Sequence, residues 1–131
     1  MRLIIIAVLA LMFACPAECA ELSLIIDGEN VPVRWENNKS VNALKNIAPL
    51  TVKLSAYGGF EQVGSLGRTL PRSDTDMTAW PGDIVLYSGD KIVIFHGSNT
   101  WAYTKLGSIR GKSLSELKAL LDKPGVTLTI K

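Results

Sequence analysis

Arg68 and Arg72 stand four residues apart, with Glu61 and Gln62 before them and Gly64 and Gly67 in the same stretch, "GFEQVGSLGRTLPRSD". An arginine fork can hold a carboxylate or a backbone carbonyl through two parallel hydrogen bonds. Glycines at such positions permit the positive-φ turns that bring backbone close to a ligand. Further along, "HGSNTWAY" supplies Ser98, Asn99, Trp101 and Tyr103, the mixture of rigid aromatics and adaptable polar groups that pockets use. Glu61, Gln62, Arg68, Arg72, Ser98, Trp101 and Tyr103 are therefore the candidate ligand-binding residues. Each has a competing structural reading. Glu61 could pair with one arginine at the surface, where an ion pair contributes little, and Trp101 and Tyr103 could pack in the core.

Other chemistries lack their residues. The chain has one histidine, His96, and two cysteines, Cys15 and Cys19, both near the N-terminus, so a tetrahedral zinc site has no ligand set. A Ser-His-Asp triad would have to use His96, at the end of an apolar run, with no nucleophile-elbow sequence anywhere. "GSLGR" lacks the Gly-Lys-Ser/Thr ending of a phosphate-binding loop and opens no helix. Asp74 and Asp76 lie two apart in a polar segment and read as a solvated turn. No metal and no cofactor is expected.

The elements that would position the candidates are mostly strands. "LSLIIDGENVPVRWE" reads as two short strands around the turn dipeptide Asp27-Gly28, with Pro32 confined to a strand end or edge. "NNKSVNALKNIAP" reads as a short helix capped by Asn38 or Ser40 and stopped by Pro49. "LTVKLSAY" alternates apolar and polar residues as a one-faced strand does. Pro81-Gly82 marks a turn, and "DIVLYSGDKIVIFHG" is the clearest hairpin, apolar on both faces of both strands. Strands covered on both sides belong in the middle of a sheet or barrel. "WAYTKLGSI" is a further strand. "SLSELKALLD" is a helix with a capping box from Ser113 to Glu116, and "GVTLTIK" closes the chain as a strand. About eight strands and two short helices without β-α-β alternation predict a mainly β, antiparallel-rich, closed or nearly closed barrel.

The N-terminus bears on compartment. Arg2 precedes the uncharged run "LIIIAVLALMF" and the small-residue segment "ACPAECA", the pattern of a secretory signal peptide. The run is short for a membrane span, which needs ~20 apolar residues. Cleavage after Ala17 or Ala20 is expected, with acylation of Cys15 as the lipoprotein alternative. The expected organisation is a signal peptide over 1–20 and one domain over 21–131, exported to the periplasm or secreted, with no integral span in the mature form. About 110 residues remain, enough for one domain and too few for two. Losing Arg2 and Glu18 leaves the formal surplus of +2 unchanged. Scattered as it is, that surplus makes no basic footprint for nucleic acid.

"EQVGSLGRTLPRSD", followed by "PGDIVLYSGDKIVIFHGSNTWAYTKLGSI", resembles the bacterial cyclophilin-like fold proteins, small domains that often have no assigned activity. The likeness runs from Leu22 to Lys131 and rests most on Gly-Asp-Ile-Val-Leu-Tyr, Gly-Ser-Asn-x-Trp-x-Tyr and Leu-Gly-x-Ile. It implies a cyclophilin-like closed β-barrel. True cyclophilins are prolyl isomerases whose catalytic arginine follows a Phe-His pair and leads a cleft lined by Gln and aromatic residues. Arg68, three residues before Pro71, is the nearest match to that arginine. Leu66-Gly67 stands where Phe-His is needed, and the Gln-x-Phe stretch that lines the proline pocket is missing. The resemblance thus implies a domain that binds a small molecule or a proline-containing, extended peptide rather than an efficient enzyme. Weak isomerase activity through Arg68 and a purely structural, interaction-only role are the alternatives.

Overall fold

The Asp27-Gly28 pair takes positive φ at both residues, 49° and 85°, the geometry of a tight two-residue hairpin turn. It joins β1 (Leu24–Ile26) to β2 (Glu29–Val31) in a computed structural model that describes residues 21–131. The expected signal segment, with Cys15 and Cys19, lies outside the described residues. Pro32 then splits what reads as one strand into β2 and β3 (Val33–Trp35). Beyond these come α1 (Lys39–Ile47), β4 (Leu50–Tyr57), β5 (Glu61–Ser65), β6 (Thr75–Ala79) and β7 (Asp83–Tyr87). The chain ends with β8 (Lys91–Phe95), β9 (Asn99–Ile109), α2 (Leu114–Leu121) and β10 (Gly125–Ile130).

Every strand pairing is antiparallel. The hydrogen-bonded path runs β2-β1-β10-β4-β5-β8-β7-β9-β3. Its two ends, β2 and β3, are consecutive in the chain. One stretch therefore pairs with β1 before Pro32 and with β9 after it, which closes the barrel where proline has no N–H to give. Counted as one closing strand, this is the eight-stranded barrel expected from the sequence.

Alternation sorts the apolar residues into two clusters on opposite faces of the wall. Ile84, Leu86, Ile92 and Ile94 join Leu24, Ile26, Leu106, Leu128 and Ile130 in the barrel interior. Helix α1 contributes Val41 and Leu44 to that interior, and α2 contributes Leu117, Leu120 and Leu121. The next residues along, Val85, Val93 and Phe95, face outward with Ala79 and Tyr103 in a smaller cluster. That is why both hairpin strands are apolar on both faces. The outer cluster is covered by β6, which pairs with the first half of β9 and lies off the barrel path. Leu106 is the extra residue opposite the Ile84–Val85 step, and such a bulge bends a strand. Here β9 passes from the barrel wall into a two-stranded ribbon.

The helix ends follow the sequence signals. Asn38 caps α1 by accepting from Val41 N, while Ser40 donates to the Pro71 carbonyl. Ser113 and Glu116 form the capping box of α2. Among the described residues no helix is long and apolar enough to cross a membrane.

Candidate functional site

The stretch from Gly59 to Asp74 divides into two parts with different roles. Its first part is not a loop. Glu61–Ser65 is a strand inside the wall, pairing with β4 on one side and β8 on the other. Gly64 needs no unusual φ; a Cβ there would lie 2.5 Å from the Lys53 carbonyl and 2.6 Å from Leu54 Cδ2. Its missing side chain lets β4 cross closely and serves no ligand approach.

The second part is a strap over one end of the barrel. Leu66 and Leu70 are buried in the interior core. Leu66 N donates to Asp90 O at 2.8 Å and Leu70 N to Gly89 O at 2.7 Å, tying the strap to the β7–β8 turn. Ser73 N donates to Thr104 Oγ1, which donates in turn to Asp74 Oδ1. Arg68 and Arg72 project from this strap into solvent, and Arg72 Nε lies 3.4 Å from Asp74 Oδ2.

A cleft lies elsewhere, on the outer face of the barrel beneath the β6–β9 ribbon. Its volume is about 530 Å³. Strands β5, β7 and β8 supply Glu61, Val63, Tyr87, Lys91 and Val93; the β4–β5 hairpin adds Tyr57 and Phe60, and the ribbon adds Asn99, Trp101 and Tyr103. Register places Trp101 opposite Met77 on the same ribbon face as Asn99 and Tyr103. Thr78 and Thr100, on the other ribbon face, bond to each other at 2.7 Å.

Aromatic rings form a continuous run along the cleft. Tyr57 meets Phe60 edge-on at 6.4 Å, Phe60 stacks on Phe95 at 6.4 Å, and Phe95 meets Tyr103 at 5.6 Å. Tyr87 meets Tyr103 at 6.1 Å. Phe60 is held by two backbone bonds to its carbonyl, from His96 N and Gly97 N, both 3.0 Å. A Cβ on Gly97 would lie 2.7 Å from Phe60 Cβ, so glycine there lets the ring settle. Two aromatics at the mouth remain open: Tyr57 is 64% and Trp101 59% exposed.

Glu61 sits in this setting at 8% exposure. Among the described residues its carboxyl has neither a hydrogen-bond partner nor an ion pair, and burial pushes its pKa up to about 7. Removing a carboxylate from water disfavours the charged form unless a partner compensates. Tyr103 is raised too, chiefly by burial, with the Asn99 hydrogen bond opposing and Glu61 adding to the rise. Asn99 Nδ2 donates to Tyr103 Oη at 2.7 Å.

Of the sequence candidates, Glu61, Trp101 and Tyr103 meet in the cleft. Gln62, Arg68, Arg72 and Ser98 do not line it. The structural alternatives need correcting as well. Glu61 is not paired with an arginine at the surface, because β5 turns it under the ribbon, and Trp101 is exposed rather than packed in the core. Gln62 points inward, fully buried, and its amide nitrogen donates to Leu121 O at 2.9 Å and Lys123 O at 2.7 Å. That ties the C-terminal end of α2 to the barrel. His96 is buried at the same end, its pKa lowered by burial, with Asp122 raising and Lys118 lowering it more weakly. Tyr57, Phe60, Tyr87 and Lys91 escaped the sequence candidates. The usable signal was the outward register of two strands apolar on both faces, which requires something to cover them.

Among the described residues no group of three or more His, Cys, Asp or Glu is placed to hold a metal ion. A family model described as the Cyclophilin-like family matches residues 24–131. Among solved structures, the hypothetical protein AF2241 from Archaeoglobus fulgidus matches with a TM-score of 0.62 and 16% identity, over 84% of this chain and 92% of that one. The structure of McbB in complex with tryptophan matches with a TM-score of 0.60 and 12% identity, over 84% of this chain. The chain spans only 44% of McbB. Likeness at these identities is likeness of fold. A search of curated proteins returns no match.

Proposed function

The chain belongs to the cyclophilin-like family, and on that premise we propose that it is an exported domain that binds a small organic molecule in the Glu61–Trp101 cleft without turnover. One observation carries the reading: the aromatic cleft of about 530 Å³ contains a buried carboxyl with no partner among the described residues. The fully buried polar side-chain atoms without a partner among the described residues are Gln62 Oε1 and His96 Nδ1. The Glu61 carboxyl instead opens onto the cavity, which makes it a place for a ligand atom. The volume falls within the ~300–1,000 Å³ of small-molecule pockets. Tyr57 and Trp101 would lose exposed apolar area to a flat ligand, at roughly 25 cal/mol per Å² buried. McbB, a protein of this fold, is seen in complex with tryptophan, and a molecule of that size suits the cleft. The basic start, apolar run and small-residue segment of residues 1–20 support export.

The isomerase alternative asks for Arg68 beside an apolar wall. Arg68 stands on the strap and lines no part of the cleft, so that reading draws no support from the geometry. The test is a thermal-shift and calorimetric screen of the full chain against tryptophan, indoles, phenols and proline-containing peptides. Binding of a flat aromatic, lost in Trp101→Ala, is expected. Binding that survives both Trp101→Ala and Tyr57→Ala, or no binding across the panel, would overturn the proposal.

A further inference from the structure

Resting on that binding reading, we infer that the cleft selects a cation: a primary or secondary ammonium on a flat apolar body, with Glu61 as the counter-charge. This reverses the ligand sign that Arg68 and Arg72 suggest from sequence.

The ionisable groups lining the cleft are Glu61 from β5, Lys91 from β8, Tyr87 from β7, Tyr103 from β9 and Tyr57 from β4. Lys91 is the one cation among them, and Asp90 Oδ1 holds its Nζ at 3.1 Å. It is also remote from Glu61. Lys91 pairs with Ser65, four residues along β5 from Glu61, about 13 Å at ~3.3 Å per residue. Among the described residues no arginine lines the cleft, and the one formal charge lining the Glu61 end is therefore the carboxylate.

The walls argue for the same sign. Aromatic faces carry negative quadrupole density, which attracts an ammonium within ~6 Å of the ring and repels an anion. Tyr57, Phe60, Trp101 and Tyr103 line the cleft with Glu61; Tyr57 is its cross-strand partner, and the Glu61 charge acts on Tyr103. A charge pair formed where water is largely displaced is also stronger than one at an open surface. Tyr103 Oη accepts from Asn99 Nδ2, and among the described residues no hydrogen bond joins it to the Glu61 carboxyl, which stays open to a ligand. Protonated, Glu61 could instead donate to a neutral carbonyl. The rings favour a cation over that partner, and the experiment separates the two.

Three probes share one body and differ in one group: tryptamine, uncharged 3-ethylindole and indole-3-propionate. Calorimetry on the full chain at about pH 8 should find tryptamine at least tenfold tighter than 3-ethylindole, and indole-3-propionate weakest. Glu61→Gln keeps the side-chain volume and should bring tryptamine to the level of 3-ethylindole while leaving the latter unchanged. If 3-ethylindole or indole-3-propionate binds as well as tryptamine, the cation inference falls and the binding reading stands. A tryptamine preference that survives Glu61→Gln also overturns it, since another group would then select the charge. Should none of the three bind, the cation inference falls, and the binding reading is decided by the wider panel of tryptophan, phenols and proline-containing peptides.

Discussion

Glu61 and Gln62 are neighbours in β5, both buried, one facing out of the barrel and the other in. Gln62 shares its amide nitrogen between the carbonyls of Leu121, the last residue of α2, and Lys123 just beyond it, so it fastens a helix end whose final carbonyls have no intrahelical donors. Glu61 is slightly less buried, at 8% exposure, and its carboxyl has no partner among the described residues; Gln62 Oε1 is buried without one as well. The wall is one strand thick, yet polar groups on its two faces serve opposite ends. The inner face uses polarity to lock the closed barrel. The outer face leaves a carboxyl open to the cleft, and burial there disfavours its charged form.

Breaking the inner half of this contrast should have the largest effect. Gln62→Leu takes the side-chain donor from the Lys123 carbonyl, while Leu121 O keeps Lys123 N. An unsatisfied buried group costs about 1–3 kcal/mol, partly offset by removing Gln62 Oε1, which is buried without a partner. A loss of roughly 1–3 kcal/mol in urea unfolding is expected, with ligand affinity of the folded protein unchanged. A loss under about 0.5 kcal/mol would mean that α2 is held by its leucines alone. Trp101→Ala tests the outer half and should do the converse. The ring is exposed at the cleft mouth, so stability should move by less than about 0.5 kcal/mol, while affinity for an aromatic ligand drops tenfold or more, about 1.4 kcal/mol.

Next in size is Glu61→Gln, whose effect depends on pH. Burial raises the Glu61 pKa to about 7 from an ordinary 4.5. Below the ordinary value both folded and unfolded chains carry the proton, and the acid costs nothing extra. As pH rises towards the folded value, the unfolded chain ionises first and stability falls; above it the deficit is constant. Glu61→Gln should therefore match wild type at about pH 4 and exceed it at about pH 8 by on the order of 1 kcal/mol, the cleft mouth still screening the charge. Equal stability at both pH values would mean that water reaches the carboxyl freely. Ammonium binding should follow the same proton in the opposite sense, strengthening up to tenfold per pH unit towards neutrality and levelling above it.

Much of the barrel was legible because its signals are local. The β7–β8 hairpin, the alternation of β4 and β10, the Asp27-Gly28 turn and both helix caps each lie within a few residues of chain. Strand β5 was not legible. Gln62, Gly64 and Ser65 dilute its period, and its identity comes from pairing with β4 and β8, which no window of sequence contains. Strand β6 hid for a similar reason: Asp76 and Thr78 face solvent, Met77 faces the outer cluster, and only β9 makes it a strand. Glu61 and Trp101 carried the right chemistry, but their burial and exposure are set by the ribbon folding over the wall. The arginines misled because guanidinium chemistry is conspicuous wherever it stands, while the strap that carries them is placed by Leu66 and Leu70.

The smallest expected effects belong to those arginines, and they bear directly on the contrast. Arg72 is about half exposed, and its ion pair with Asp74 spans 3.4 Å, a surface pair worth about 0–1 kcal/mol. The strap is held instead by Leu66 and Leu70 in the core and by backbone bonds to Asp90 and Gly89, none of which needs a guanidinium. Arg68→Ala and Arg72→Ala should each change stability by less than about 1 kcal/mol and leave the affinity of a cleft ligand within twofold, read by calorimetry beside Trp101→Ala. The pair also separates the two accounts of this segment. If either arginine variant weakens binding as much as Trp101→Ala does, the ligand reaches the strap, and the working surface extends from the ribbon to the barrel end. If neither does, the stretch from Gly59 to Asp74 acts on a ligand through Phe60, Glu61 and Val63, and its arginines are solvated cover for the barrel.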